Sequence, residues 1–420
     1  MQSLGDTFGQ VFLAIRANKL RSFLTMFGIA WGVGSMLLLI SVGEGFRSGQ
    51  KREFAELGND VIMMWNGNIP AVAGQHTGMR PYYLTLSDTE AVRTQAPDVR
   101  DATAIINRSD IKQQSQWETA GGQVLGVEPQ FKTIRYIPIA QGRFIEPNDV
   151  AGKNRVIVLG AKSAQLLFPG HPALGDWVTL NGTRFTVIGV ADHVGHGDND
   201  DRSQQVYIPI SIMMDMFALN WGNNPQDTVN TINYQPVTAA QHVAAVHEAH
   251  EIIARRHGFS ADDSEAFTEW DSVQSQQMVG KIFDAMDIFL GGVGLVTLAL
   301  GAVGIVNIML VSVTERTSEI GLRKALGATK RSILVQFFLE GLTLTGVSGF
   351  IGIAGSAFFM WLLQRAVGQN MEGFDPPRLQ PWSAALAIVS LAICGIVSGL
   401  YPAAQAAAME PVEALRREST

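Results

Sequence analysis

Ile288-Phe-Leu-Gly-Gly-Val-Gly-Leu-Val-Thr-Leu-Ala-Leu-Gly-Ala-Val-Gly-Ile-Val-Asn-Ile-Met-Leu-Val-Ser-Val313 runs for 26 residues without a charged side chain. A helix of about 20 apolar residues, rising about 1.5 Å per residue, crosses a hydrocarbon core of about 30 Å. Three further stretches share this character: Phe23 to Val42 has 20 residues, Gly341 to Leu363 has 23 and Trp382 to Ala408 has 27. Core helices of soluble proteins seldom run so far without a charge, so four such stretches predict four membrane spans. The composition agrees. Of 420 residues 47% are apolar and only 16% charged, against about 25% charged in soluble domains. The apolar content and the absence of a three-residue glycine period exclude a disordered or collagen-like chain. A single cysteine, Cys394, excludes an intrachain disulfide and a multi-cysteine metal centre. With 31 Lys+Arg against 38 Asp+Glu, the charge balance makes no case for nucleic-acid binding.

Lys and Arg beside the spans set the orientation. Arg16, Lys19 and Arg21 precede the first span; Arg316, Arg323, Lys324, Lys330 and Arg331 lie between the second and third; Arg416 and Arg417 follow the fourth. Only Arg365 and Arg378 lie between the third and fourth. Both termini and the 314–332 loop are therefore expected in the cytoplasm, and the long insert at 43–287 outside. That insert holds 19 Lys+Arg and 29 Asp+Glu, and all eight histidines. The first span is followed by Gly43-Glu44-Gly45-Phe46, which is no small-x-small cleavage site, so it reads as an uncleaved anchor.

Leu4, Phe8, Val11, Phe12 and Ile15 recur at helical spacing before the first span. They fit an amphipathic helix at 1–22 lying in the inner interface, or a cytoplasmic extension of the span. Phe46 and Phe54 after the first span, and Met278, Ile282, Met286 and Phe289 around the start of the second, form apolar stripes among charges. Such stripes suit helical stalks that pack on a partner helix. Between them the pattern is mixed α+β. Val61–Trp65, Arg155–Leu159 and Val206–Ile210 read as strands, and 239–256 as a helix. Asn181-Gly182 favours a type I′ hairpin within 178–188. Ser87-Asp-Thr-Glu90 reads as a capping box, with Pro97 ending its helix. A β-rich submodule is expected near 116–205.

These features divide the chain into the helix at 1–22, spans at 23–42, 288–313, 333–363 and 382–404, the external domain at 43–287, the cytoplasmic elbow at 314–332, a short outer loop at 364–381 and a tail at 405–420. The fold class is a four-span α-helical membrane protein with a large extracytoplasmic α+β domain inserted between spans one and two.

The motifs that would mark an autonomous pump or enzyme are missing. Gly152-Lys153 and Gly280-Lys281 are followed by Asn154 and Ile282, so neither completes a phosphate-binding loop. Glu340, about 12 Å into the third helix at 1.5 Å per residue, is either an interhelical hydrogen-bonding group or a proton carrier. Asp192, His193, His196, Asp198, Asp200 and Asp201 have metal-like composition, but their glycine-rich spacing reads as a solvated loop. His247, His250 and His257 are expected on an exposed polar helix face. No Ser/His/Asp set has a recognisable local context.

The densest chemistry follows the second span: Thr314-Glu315-Arg316-Thr-Ser-Glu319-Ile320-Gly-Leu-Arg323-Lys324-Ala-Leu-Gly327-Ala328-Thr-Lys330-Arg331. This reads as a membrane helix entering a short helix that ends at Gly327, with basic residues in its last turn. Glu319 and Arg323 are four apart and can pair. The segment is either a rigid docking elbow or an ordinary basic loop.

With Gly304-Ile-Val-Asn307 before it, this segment resembles the signature of the MacB/FtsX-like permease family of ABC transporters. Asn18-Lys-Leu-Arg-Ser-Phe-Leu-Thr-Met-Phe-Gly-Ile29, Ser41-Val-Gly-Glu-Gly45 and Gly399-Leu-Tyr-Pro-Ala403 with Glu410-Pro-Val-Glu-Ala-Leu-Arg416 do so too. The resemblance spans essentially the whole chain and is weakest in the external domain. It implies a coupling helix whose ATPase contacts are Glu315, Arg316, Glu319, Ile320, Arg323, Lys324, Gly327 and Ala328. It implies a separate ABC ATPase subunit that binds ATP and magnesium, with no cofactor and no catalytic residue in this chain. A homodimer, or a heterodimer with a related permease, is also expected in the bacterial inner membrane. Gly28, Gly32, Gly395 and Gly399 have the spacing for close helix packing.

The implied activity is coupling of ATP hydrolysis to movement of the external domains. The cargo would come from the periplasm or outer leaflet, with a periplasmic adaptor and an outer-membrane channel as partners. Two alternatives share the plan: release of lipoproteins from the inner membrane, and ATP-driven regulation of a cell-wall hydrolase without transport.

Overall fold

The computed structural model describes residues 19–58, 60–70, 79–193, 201–367 and 373–410. The amphipathic pattern at 1–22 and most of the C-terminal tail lie outside these residues. The chain forms two compact units, residues 1–49 with 281–420, and residues 50–280.

Among the described residues four helices, whose uncharged runs lie in the first unit, are long and apolar enough to cross a membrane. They are α1 (Lys19–Leu57), α8 (Ser272–Glu315), α10 (Lys330–Val367) and α11 (Pro381–Ala408). Each holds one of the uncharged runs, and helical geometry continues past the apolar stretch at the C-terminal end of α1 and the N-terminal end of α8. Pro381 opens α11, where its missing N–H costs nothing. Ile29, Val33, Met36, Leu37 and Ile40 of α1 share one core with Leu298, Ile305, Met309 and Val313 of α8, Ile333 and Phe337 of α10, and Ala387, Ala403 and Ala406 of α11. Glycine allows the close crossings. A Cβ on Gly341 would come 3.1 Å from Gly399 Cα, and one on Gly352 would come 2.5 Å from the Ala30 carbonyl oxygen.

The loop after α10 also meets α1 through main chain. The Asp375 N–H donates to the Gly45 carbonyl at 2.9 Å, and a Cβ on Gly49 would strike the backbone at 373–374 within 2.5 Å. Phe46 and Phe374 pack with ring centroids 4.7 Å apart. Beside them the Arg47 guanidinium bridges Asp284 and Asp287 of α8 at 2.9 and 2.7 Å.

The second unit is built on one mixed sheet. Across it run β14 (Thr268–Asp271), β1 (Ile62–Trp65), β13 (Thr231–Pro236), β4 (Val99–Arg108), β7 (Val124–Val127), β12 (Val206–Pro209), β9 (Val156–Leu159), β11 (Thr183–Ala191), β10 (Trp177–Leu180), β5 (Gln113–Gln114) and β6 (Thr119–Ala120). β8 (Ile139–Gly142) also pairs with β11. Strands from 113–209 hold one end, and β14, β1 and β13 hold the other. β4 joins them, pairing through 99–105 with β13 and through 105–108 with β7. β2 (Gly67–Pro70) and β3 (Met79–Tyr82) form a separate two-stranded pair. Helices α2 (Leu86–Gln95), α3 (Phe131–Ile134), α4 (Pro147–Ala151), α5 (Ala161–Leu167), α6 (Ile210–Met216) and α7 (His242–His257) complete the unit.

The three expected strands are present as β1, β9 and β12. The hairpin turn at Asn181 and Gly182 has positive φ at both residues, 47° and 87°, as a type I′ turn demands. The helix expected over 239–256 is a 3-10 turn at Ala239–Gln241 followed by α7. The capping box is shifted by two residues. Thr85, not Ser87, caps α2, and Asp88, not Glu90, reaches back to the Thr85 N–H at 2.9 Å. The Thr85 side chain is buried together with Asp88, so the box forms inside the core edge and leaves Glu90 to solvent.

Candidate functional site

The elbow is a separate helix, α9 (Thr317–Ala325), set between α8 and α10. Arg316 leaves helical geometry at φ −105°, ψ 20° and breaks the two helices apart. The Thr317 hydroxyl donates towards the Val313 and Thr314 carbonyls at 3.1 and 2.8 Å, satisfying groups at the end of α8. Ile320 is 2% exposed and seated in the bundle core. At the other end Gly327 takes φ 97°, and the Ala328 N–H returns to the Arg323 carbonyl at 3.0 Å. Glycine is suited to this left-handed stop. The Thr329 hydroxyl then accepts from the Ser332 N–H at 3.2 Å where α10 begins.

Three cations fasten α9 to its neighbours. Arg316 faces both carboxylate oxygens of Glu340 at 3.4 Å. Arg323 pairs with Glu319 and donates to Gln336 Oε1 at 2.8 Å. Lys324 Nζ donates to the Ala407 and Met409 carbonyl oxygens at 2.7 and 2.6 Å, at the end of α11. Desolvation, with the charge of Lys330 beside it, pushes the Lys324 ammonium below its ordinary pKa. Glu340 is buried and meets Arg316, an interhelical pair.

The expected contact residues therefore fall into two groups. Arg316, Ile320, Arg323, Lys324 and Ala328 turn towards the bundle. Glu315, Glu319 and Gly327 face outward. Sequence reasoning missed Leu322 and Leu326, which are 54% and 80% exposed on the outer surface of the elbow. Their spacing of four, out of phase with Ile320, was the available signal. Gly28 and Gly32 lie against α8, where a Cβ would meet Gly301 Cα at 3.7 Å and the Leu298 nitrogen at 3.2 Å. Gly395 and Gly399 lie against Thr345 and Phe338 of α10.

The external unit corrects one expectation. His247 is exposed, but His250 and His257 are not. His250 stacks on Phe267 at 3.6 Å between centroids and meets Glu269 at 2.9 Å. His257 meets Asp88 at 2.8 Å, and His242 meets Asp271 at 2.6 Å. Each of these rings sits on the face of α7 that packs inward, where an acid offsets the cost of burying it. The metal-like loop falls largely outside the described residues. Its flank shows His193 Nδ1 and the Ser203 hydroxyl 3.1 Å apart, and the described residues hold no cluster of three or more metal-ligating side chains.

Residues 22–252 match the family model of the MacB-like periplasmic core domain, and residues 291–411 match the FtsX-like permease C-terminal model. The macrolide export ATP-binding/permease protein MacB of Bdellovibrio bacteriovorus is 30% identical over 415 residues, covering 97% of this chain and 61% of that protein. The chain thus spans less than two thirds of that relative's length. An uncharacterized ABC transporter permease of Bacillus subtilis, YknZ, is 30% identical over 420 residues, covering 99% of this chain and 100% of that one. Among solved structures, the periplasmic region of MacB from Actinobacillus actinomycetemcomitans overlays with TM-score 0.43 at 20% identity, over 55% of this chain and 98% of that one. On its matching domains and full-length relative, the chain belongs to the MacB/FtsX-like family of ABC transporter permeases.

Proposed function

We propose that this chain is the membrane subunit of an ABC exporter and that α9 receives the motion of a separate ATPase subunit. One observation carries the reading. The elbow offers Leu322 and Leu326 to a partner while Ile320 and the cations at 316, 323 and 324 tie its other side into the bundle. An exposed apolar pair on a short helix with a fixed seat can fill a groove and move its neighbours when the groove moves. Glu315, Glu319 and Gly327 flank this pair and supply polar contacts. The permease acts as a dimer, homo- or heterodimeric, with both termini and the elbow in the cytoplasm and the acidic insert outside. Cargo is taken from the periplasm or outer leaflet and passed to an adaptor and outer-membrane channel, in keeping with the export named for the MacB relatives.

The test is co-expression of the full chain with candidate ABC ATPases of its host, followed by mass measurement of the purified complex. A two-plus-two assembly with hydrolysis faster than that of the free ATPase is expected. Leu322→Glu with Leu326→Glu should abolish capture without unfolding the bundle. Capture of a lipoprotein or a cell-wall hydrolase in place of an adaptor would redirect the cargo reading, and failure of every ATPase to bind would end the permease reading.

A further inference from the structure

α9 is joined through the chain to α8 and α10, so any displacement of the elbow reaches those two helices directly. The fourth helix has no such connection at this end. Its last carbonyls are the unpaired acceptors that every helix leaves at its C-terminus. Lys324 fills them, with its ammonium on the Ala407 and Met409 oxygens at 2.7 and 2.6 Å. A cation there is also favoured by the helix dipole. Arg323 and Arg316, by contrast, reach Gln336 and Glu340, both on α10.

We propose that Lys324 is the positioning residue that carries movement of the elbow into the fourth span, so that α11 is driven together with α8 and α10. This rests on the reading of α9 as the ATPase dock, and the two can fail separately. Without Lys324 the elbow keeps its dock, its seat at Ile320 and its hold on α10, but its grip on the end of α11 is gone.

The experiment uses the full chain in lipid nanodiscs as wild type, Lys324→Met and Lys324→Arg. In the chain alone, amide hydrogen exchange at 404–408 should quicken about fivefold in Lys324→Met, as expected for loss of a helix-terminal cation. Amides of 340–350 should keep their rates, and Lys324→Arg should restore 404–408. Unchanged exchange at 404–408 in Lys324→Met overturns the joint, whatever the ATPase does. With the co-expressed ATPase, Lys324→Met should still capture it but lose most of the stimulation of hydrolysis, and Lys324→Arg should recover it. Full stimulation in Lys324→Met overturns the coupling role. If the wild type captures no ATPase, the permease reading falls, and the exchange arm still decides whether elbow and fourth helix are joined.

Discussion

Asp88 shows how one carboxylate can hold two helices together. It is 1% exposed, closes the N-terminal box of α2 with Thr85, and receives Arg256 and His257 from the end of α7. Burial works to raise its pKa, but hydrogen bonds from His257, Arg256 and Thr85 outweigh it and hold the carboxyl down to about 2 from 3.8. With the folded value depressed, its stabilisation is complete above the unfolded value and is lost as pH falls through about 2. Asp88→Asn should therefore destabilise the external unit by about 3–5 kcal/mol at neutral pH. It should also flatten the acid limb below pH 3.8, read by denaturant titration of the full chain at a series of pH values. The sequence showed an acid-rich capping signal here but misplaced it by two residues. Ser87 and Thr85 both suit an N-cap, and only burial of Thr85 and Asp88 decides between them.

The hairpin at Asn181–Gly182 and the elbow are the elements most readable from local sequence, for different reasons. In the hairpin, positive φ at two successive residues restricts the choice to a few residue types. The turn is further tied by Asn181, whose Oδ1 accepts from the Lys112 N–H at 2.9 Å. Gly182→Val should cost about 1–2 kcal/mol by forcing a branched side chain into the left-handed region, measurable as a lowered midpoint in denaturant. For the elbow, the glycine stop and the ion pair four residues apart were legible. Which residues face the bundle was not, because that depends on where α10 and α11 lie. Opposite outcomes are expected at neighbouring positions. Ile320→Ala should lower bundle stability by about 2–4 kcal/mol, whereas Leu322→Ala should leave it within about 0.5 kcal/mol and weaken ATPase capture instead. Thermal unfolding in detergent and a pull-down with the ATPase separate the two.

At the scale of the whole molecule the four spans were plain, since length and absence of charge suffice to define them. The sheet order was not. Its neighbours are joined by pairings such as β1 with β13 and β14, far apart in the chain, and alternation within a strand does not name its partner. Two of the acid-paired histidines of α7, His250 and His257, were misjudged for the same reason, as their partners Glu269 and Asp88 come from other elements. Orientation has a direct check. In a Cys394→Ala background, Leu326→Cys should react with an impermeant maleimide only after cells are permeabilised, while Trp117→Cys, 47% exposed in the wild-type side chain, should react from outside. Labelling of both from the same side would overturn the topology.

The Lys324 joint grips peptide oxygens, which every residue type supplies. The side chains at 407 and 409 answer to packing, Ala407 being buried and Met409 lying against the bundle core, and not to the joint. Across relatives no second position should change in step with 324, and a map of correlated substitutions will be blind to this link.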